Sequence, residues 1–87
     1  MENSPMADIL KKGKVDAQVS MGGMLQKHTL KVEEEKTAFG KINVLRIDAK
    51  ISATEAIRLA EEYGLPVRAP LGLVFPRGKG PADFLVK

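Results

Sequence analysis

Arg77-Gly78-Lys79-Gly80, set between Pro76 and Pro81, combines the residue types that can hold an anion. Two glycines let the backbone approach a negative group and turn amides toward it, two cations add charge, and the prolines limit the conformations open to the loop. A phosphate could sit there. The spacing is not that of a triphosphate-binding loop, which needs a Lys-Ser/Thr pair after its last glycine, nor that of a dinucleotide fingerprint. A solvated turn between two strands would use the same residues.

Arg68, between Pro66 and Pro70, would approach this loop if the two extended segments pair, and Lys11, Lys12 and Lys14 form a second basic cluster. If folding brings the two ends of the chain together, these groups make one surface able to follow a phosphate backbone. The candidate anion-binding set is therefore Arg68, Arg77, Gly78, Lys79, Gly80, Lys11, Lys12 and Lys14. Lysines that simply fill exposed positions are the plainer account of the second cluster. Stacking partners for bases are scarce: the aromatic residues are Phe39, Tyr63, Phe75 and Phe84, and Tyr63 falls on the apolar side of a helix.

Catalytic chemistry has little to work with. His28 is the only histidine and lies on the apolar face of an expected strand, a position that suits a structural side chain. Ser20 and Ser52 make no triad with it. Glu33-Glu34-Glu35 could attract a hard cation, but consecutive residues of extended chain point to opposite sides. Asp48 and Asp83 are acids without identifiable partners, and there is no cysteine for thiol chemistry, a disulfide or a thiolate metal site. No enzyme activity, cofactor or metal is expected. A DNA-reading helix-turn-helix is suggested by Ala60, Gly64 and Leu65, but its second helix would have to pass Pro66, Pro70 and Gly72. An interior proline alone costs about 3 kcal/mol.

The elements that must position these groups are set by pattern. Ser52-Ala53-Thr54-Glu55 predicts a helix start in which Ser52 accepts an amide of the first turn and Glu55 reaches back to the amide of Ser52. Ala53, Ala56, Ile57, Leu59, Ala60 and Tyr63 then share one side, while Thr54, Glu55, Arg58, Glu61 and Glu62 share a solvated one. Gly64 supplies a left-handed cap and Pro66 prevents continuation. Before this helix the period is two: Val15, Ala17, Val19 and Met21 form one strand, Gly22-Gly23 a turn, and Met24, Gln26, His28, Leu30 and Val32 one face of a second. Residues 33–40 read as a charged connection or a second hairpin turn, with Phe39 available to fold back as a plug, and residues 41–49 as a third strand. The apolar groups Ile42, Val44, Leu45 and Ile47 point to both faces, which marks that strand as central or as a subunit interface. Residues 6–12 suit a turn or two of helix ended by Gly13. After the main helix, residues 65–69 and 71–75 read as extended, and residues 83–86 as a final edge strand.

Eighty-seven residues with 44% apolar content suit one domain over residues 6–87, with residues 1–5 a loose leader or cloning remnant. The chain has no apolar run near the roughly 20 residues of a membrane span and no secretory signal, so a cytoplasmic protein without membrane contact is expected. Scarce Asn and Gln with plentiful Lys and Glu resemble proteins from hot environments. The formal charge of +3 is uneven: five bases face three acids in residues 1–32, five face seven in 33–62, and four face one in 63–87. The fold class is α+β, a sheet of about four to five short strands with one amphipathic helix, residues 53–63, packed on one face. The function expected is a small non-enzymatic binding module that contacts nucleic acid or another polyanion through basic loops. The alternative is a protein-interaction module or accessory subunit, a homodimer in one form, using an edge strand or the two-faced third strand.

Overall fold

A computed structural model describes residues 5–85, with side chains from residue 9 onward. Of the expected leader, residues 1–4 lie outside the described residues, while Pro5 opens a helix α1, Pro5–Lys12. Gly13, at φ 79°, ends that helix by donating its N–H to the Ile9 carbonyl at 2.7 Å. Five strands follow: β1 Lys14–Met21, β2 Met24–Thr37, β3 Gly40–Arg46, β4 Val67–Ala69 and β5 Gly72–Val74. Helix α2, Ala53–Tyr63, connects β3 to β4. They form one sheet in the order β1-β2-β3-β4-β5, antiparallel except for the parallel β3–β4 pair. The α+β class is thus as the pattern implies. Among the described residues no helix is long and apolar enough to cross a membrane.

The first hairpin closes through Gly22 and Gly23, whose φ values of 60° and 84° suit a two-residue turn matched to strand twist. Its register sets Val15 opposite Leu30 and Ala17 opposite His28, so the expected alternation is the observed one. The second hairpin bears out a turn between these strands but not its length. Residues 33–37 are not a connection: β2 runs on to Thr37 and leaves only Ala38 and Phe39 as the turn. The run of charges is tolerated in a strand because opposite charges meet it, Arg46 and Lys41 of the adjacent β3 on Glu33 and Glu34, and Arg68 of β4, reaching across β3, on Glu35. Phe39 does not fold back and is exposed at the tip.

Helix α2 carries its expected N-cap and C-cap but not the reciprocal bond expected from Glu55 to the Ser52 amide, because the Glu55 carboxylate is taken by the Ser20 amide and Arg58. Ser52 Oγ accepts the Glu55 N–H at 3.1 Å, and Gly64, at φ 71°, donates to the Ala60 carbonyl. Ala56, Leu59 and Ala60 belong to one buried cluster with Ala17 and Val19 of β1, Leu30 of β2, Leu45 of β3, Val67 of β4 and Ile9 of α1. At about 1.5–3 kcal/mol for each fully buried large aliphatic side chain, this cluster is the main favourable term of folding. Ile42 and Val44 are equally buried but alternate with Leu45 and so face the opposite side of the sheet. A central β3 explains its two-faced pattern. Its apolar groups are consumed within one chain, which removes this strand as a subunit interface.

The expected final strand is corrected as well. Residues 81–84 form a 3-10 turn, because Pro81 presets the helical backbone and the Asp83 carboxylate accepts the Gly80 N–H at 2.7 Å. Among the described residues of this segment only Leu85 pairs with the sheet, as a single antiparallel bridge to Ile42, and Val86 lies outside the described residues.

Candidate polyanion interface

The 76–81 loop is a compact turn with its amides partly committed. Lys79 donates its N–H to the Pro76 carbonyl at 3.2 Å, and Gly80 donates to Asp83, so neither amide is turned outward for an anion. Gly78, at φ 77°, supplies the left-handed residue that the turn requires. The loop therefore presents side chains more than a backbone cradle. Arg77 extends into solvent with Nε 3.8 Å from Glu61 Oε2, a long and exposed pair worth little. Lys79 Nζ stands 6.0 Å from the centre of the Phe84 ring, which in turn packs on Phe75 at 5.8 Å between centroids. This aromatic support orients the ammonium while leaving it exposed.

Folding does bring the two basic ends of the chain together. Lys79 and Leu10 line one groove of about 270 Å³ together with Asn43 of β3, Leu65, Asp83, Phe84 and Leu85, so its charged groups are one ammonium and one carboxylate. Lys11 follows Leu10 in the last turn of α1, where cations also complement the helix carbonyls. Lys12 and Lys14 border a neighbouring hollow of about 210 Å³ that includes Asp16. Thus Lys79 and the end of α1 share a region despite the long chain between them.

Arg68 does not join them. In β4, Val67 and Ala69 enter the buried cluster, so Arg68 between them faces the other side of the sheet. There its Nε and Nη2 make a bidentate pair with the Glu35 carboxylate at 2.9 and 2.7 Å. The hydrogen bonds from Arg68 hold the Glu35 carboxyl below its ordinary range against the opposing effect of burial. Next to it, Arg46 bonds Asp48 at 3.0 Å and Glu33 at 3.4 Å, and Arg46, Asp48, Arg68 and Glu35 line a cleft of about 200 Å³. Three carboxylates face two guanidiniums, so this face does not extend the basic surface. The alternation Val67-Arg68-Ala69 was the sequence signal for that separation.

Two arrangements escaped the sequence reading. Glu55, assigned to the solvated side of α2, is buried: its Oε2 accepts the Ser20 N–H at 2.8 Å and the Arg58 Nη2 at 2.6 Å. Arg58 also donates to the Gln18 carbonyl at 3.0 Å and to Glu62 at 2.7 Å, so two helix side chains occupy backbone groups on the outer edge of β1. Arg58 depresses the Glu55 carboxyl pKa, and the Ser20 amide adds to the effect, while burial opposes both. The second arrangement is at the β2–β3 tip, where Lys36 stands directly opposite Lys41 beside the exposed Phe39. His28, in contrast, is half-buried with Nε2 3.1 Å from Met21 Sδ. Comparison of the chain with protein-family models, with curated proteins and with solved structures finds no match.

Proposed function

We propose that this chain is a small non-enzymatic binding module for polyanions, with nucleic acid the leading ligand class. The observation that carries the reading is the groove that brings Lys79 against Leu10 of α1, the residue before Lys11, with Asp83 the one carboxylate in its lining. Lys11, Lys14 and Lys79 are the contacts, and Arg77 joins them by exchanging its weak pair with Glu61 for a phosphate. Gly78 and Gly80 shape the loop, Lys12 stands beside Lys14, and Arg68 has a structural role on the other face. Binding of this kind is read through its salt dependence. Log affinity for a labelled oligonucleotide should fall linearly with log salt, and removing one contacting lysine should reduce the slope by about 0.7 for a single strand. Identical slopes for the wild type and for the combined Lys11→Ala, Lys14→Ala, Lys79→Ala chain would end this reading.

The second reading, a protein-interaction module, is favoured by Met24 and Leu25, each 66% exposed at the tip of the β1–β2 hairpin. It predicts self-association that Leu25→Lys abolishes. A monomer at every concentration in sedimentation equilibrium would remove the homodimer form of it.

A further inference from the structure

The β2–β3 hairpin carries features that the packing of the domain does not use. Lys36 and Lys41 are directly opposed in the register, both exposed, although like charges in that position oppose strand pairing. Among the described residues Lys41 has one carboxylate near it, Glu34 at 4.0 Å, and both side chains of that pair are at least half exposed. Beside the two lysines, Phe39 leaves 64% of its surface in water. An aromatic ring in the core would have contributed more to stability.

The tip is nonetheless built to one shape. Thr37 Oγ1 accepts the Phe39 N–H at 3.1 Å and donates to the Gly40 carbonyl at 2.7 Å, which fixes the backbone that presents the ring. Gly40 adopts φ 126°, and a Cβ there would stand 2.8 Å from Leu85 Cδ2. Leu85 is a wall of the groove that Lys79 flanks, so the hairpin tip abuts one end of that groove. Asn43 lies in the groove, and two residues along the same strand Lys41 points to the same side, with Lys36 beside it. Lys79, Lys41 and Lys36 therefore lie on one side of the sheet, with Asp83 in the groove and Glu34 opposite Asn43 between them, and the hairpin end of this row carries a held but uncovered aromatic ring.

We propose that the β2–β3 hairpin is a stacking arm for single-stranded nucleic acid, in which Lys36 and Lys41 hold phosphates and Phe39 stacks on an unpaired base. The proposal rests on the polyanion reading above and names its ligand. A single strand fits because its bases expose ring faces, whereas a duplex keeps them paired and stacked. A lipid surface fits less well, since one ring beside Ala38 offers little apolar area to insert.

The test is fluorescence anisotropy with dT12 and rU12, a 12-base-pair duplex, inorganic polyphosphate and phosphatidylserine vesicles as probes. Phe39→Ala should weaken dT12 or rU12 binding at least fivefold, the lower bound for a lost stacking contact, and leave polyphosphate binding unchanged. Phe39→Leu should restore little, and Phe39→Trp should restore the wild-type affinity. Lys36→Ala with Lys41→Ala should weaken all polyanions and lower the salt slope. If Phe39→Ala leaves single-strand binding intact while the lysine variants weaken it, the stacking arm is refuted and the polyanion reading survives. No binding of any polyanion by the wild type overturns both. Loss of vesicle binding alone on Phe39→Ala refutes the arm in favour of a lipid partner.

Discussion

The carboxylate of Glu55 accepts the backbone N–H of Ser20 at 2.8 Å, joining the first turn of α2 to the outer edge of β1 across 35 positions of sequence. Because Glu55 is buried and Ser20 is half-buried, the bond cannot be exchanged freely for water. Glu55→Ala should therefore destabilise the fold by about 1–3 kcal/mol, the cost of orphaning a buried donor together with a charge-assisted bond to Arg58. Urea unfolding gives the value directly. A change under about 0.3 kcal/mol would mean that the bond is formed without net benefit.

Acid should weaken the same contacts. The Glu55 and Glu35 carboxyls are both held below their ordinary value of 4.5, by hydrogen bonds from Arg58 and Arg68 in turn. A carboxylate depressed in the folded state gives its full stabilisation above the unfolded value and loses it as pH falls through the folded one. Stability should thus be flat with respect to these groups near neutrality and decline below about pH 4.5. The double variant Glu35→Gln, Glu55→Gln should start less stable and lose less on acidification. Parallel urea midpoints for both chains between pH 6 and pH 3 would contradict the assignment.

Arg68→Ala and Lys79→Ala should part company. The first breaks a partly exposed bidentate pair and should cost on the order of 1 kcal/mol of stability while leaving polyanion affinity unchanged. The second should leave stability within about 0.5 kcal/mol and weaken binding. Thermal unfolding paired with an oligonucleotide titration measures both, and weaker binding by Arg68→Ala would return that residue to the interface.

Leu59 is wholly buried in the cluster between α2 and the sheet, so Leu59→Ala should cost about 2–5 kcal/mol. Ala53, on the same helix but exposed, should tolerate Ser with a loss below about 1 kcal/mol. Similar losses at the two positions, measured by urea unfolding, would mean that α2 is oriented differently from the structure described.

Helix α2 was legible because its signals are local: Ser52, Gly64 and Pro66 act within one or two turns, whatever lies across the molecule. The first hairpin was legible for the same reason, through Gly22-Gly23 and a clean period of two. The extension of β2 was not, since Glu33 and Glu35 are acceptable in a strand only when Arg46 and Arg68 arrive from elsewhere. Glu55 misled in the opposite sense: local periodicity placed it in water, and a backbone amide from β1 buried it. Of the basic candidates, the gathering of Lys79 with α1 depended on the chain ends converging, which composition could suggest but not place. The separation of Arg68 could have been read from the alternation of its neighbours, while the exposure of Phe39 required knowing that the turn holds only two residues.

The parallel pairing of Leu45 with Val67 joins strands separated by the whole of α2, and it has a kinetic consequence. The three-strand meander can assemble through nearby residues within microseconds, but β4 can dock only after the crossover has closed a loop of more than twenty positions. Refolding should then be limited by that closure, so that a truncation at Val67 slows folding more than it speeds unfolding.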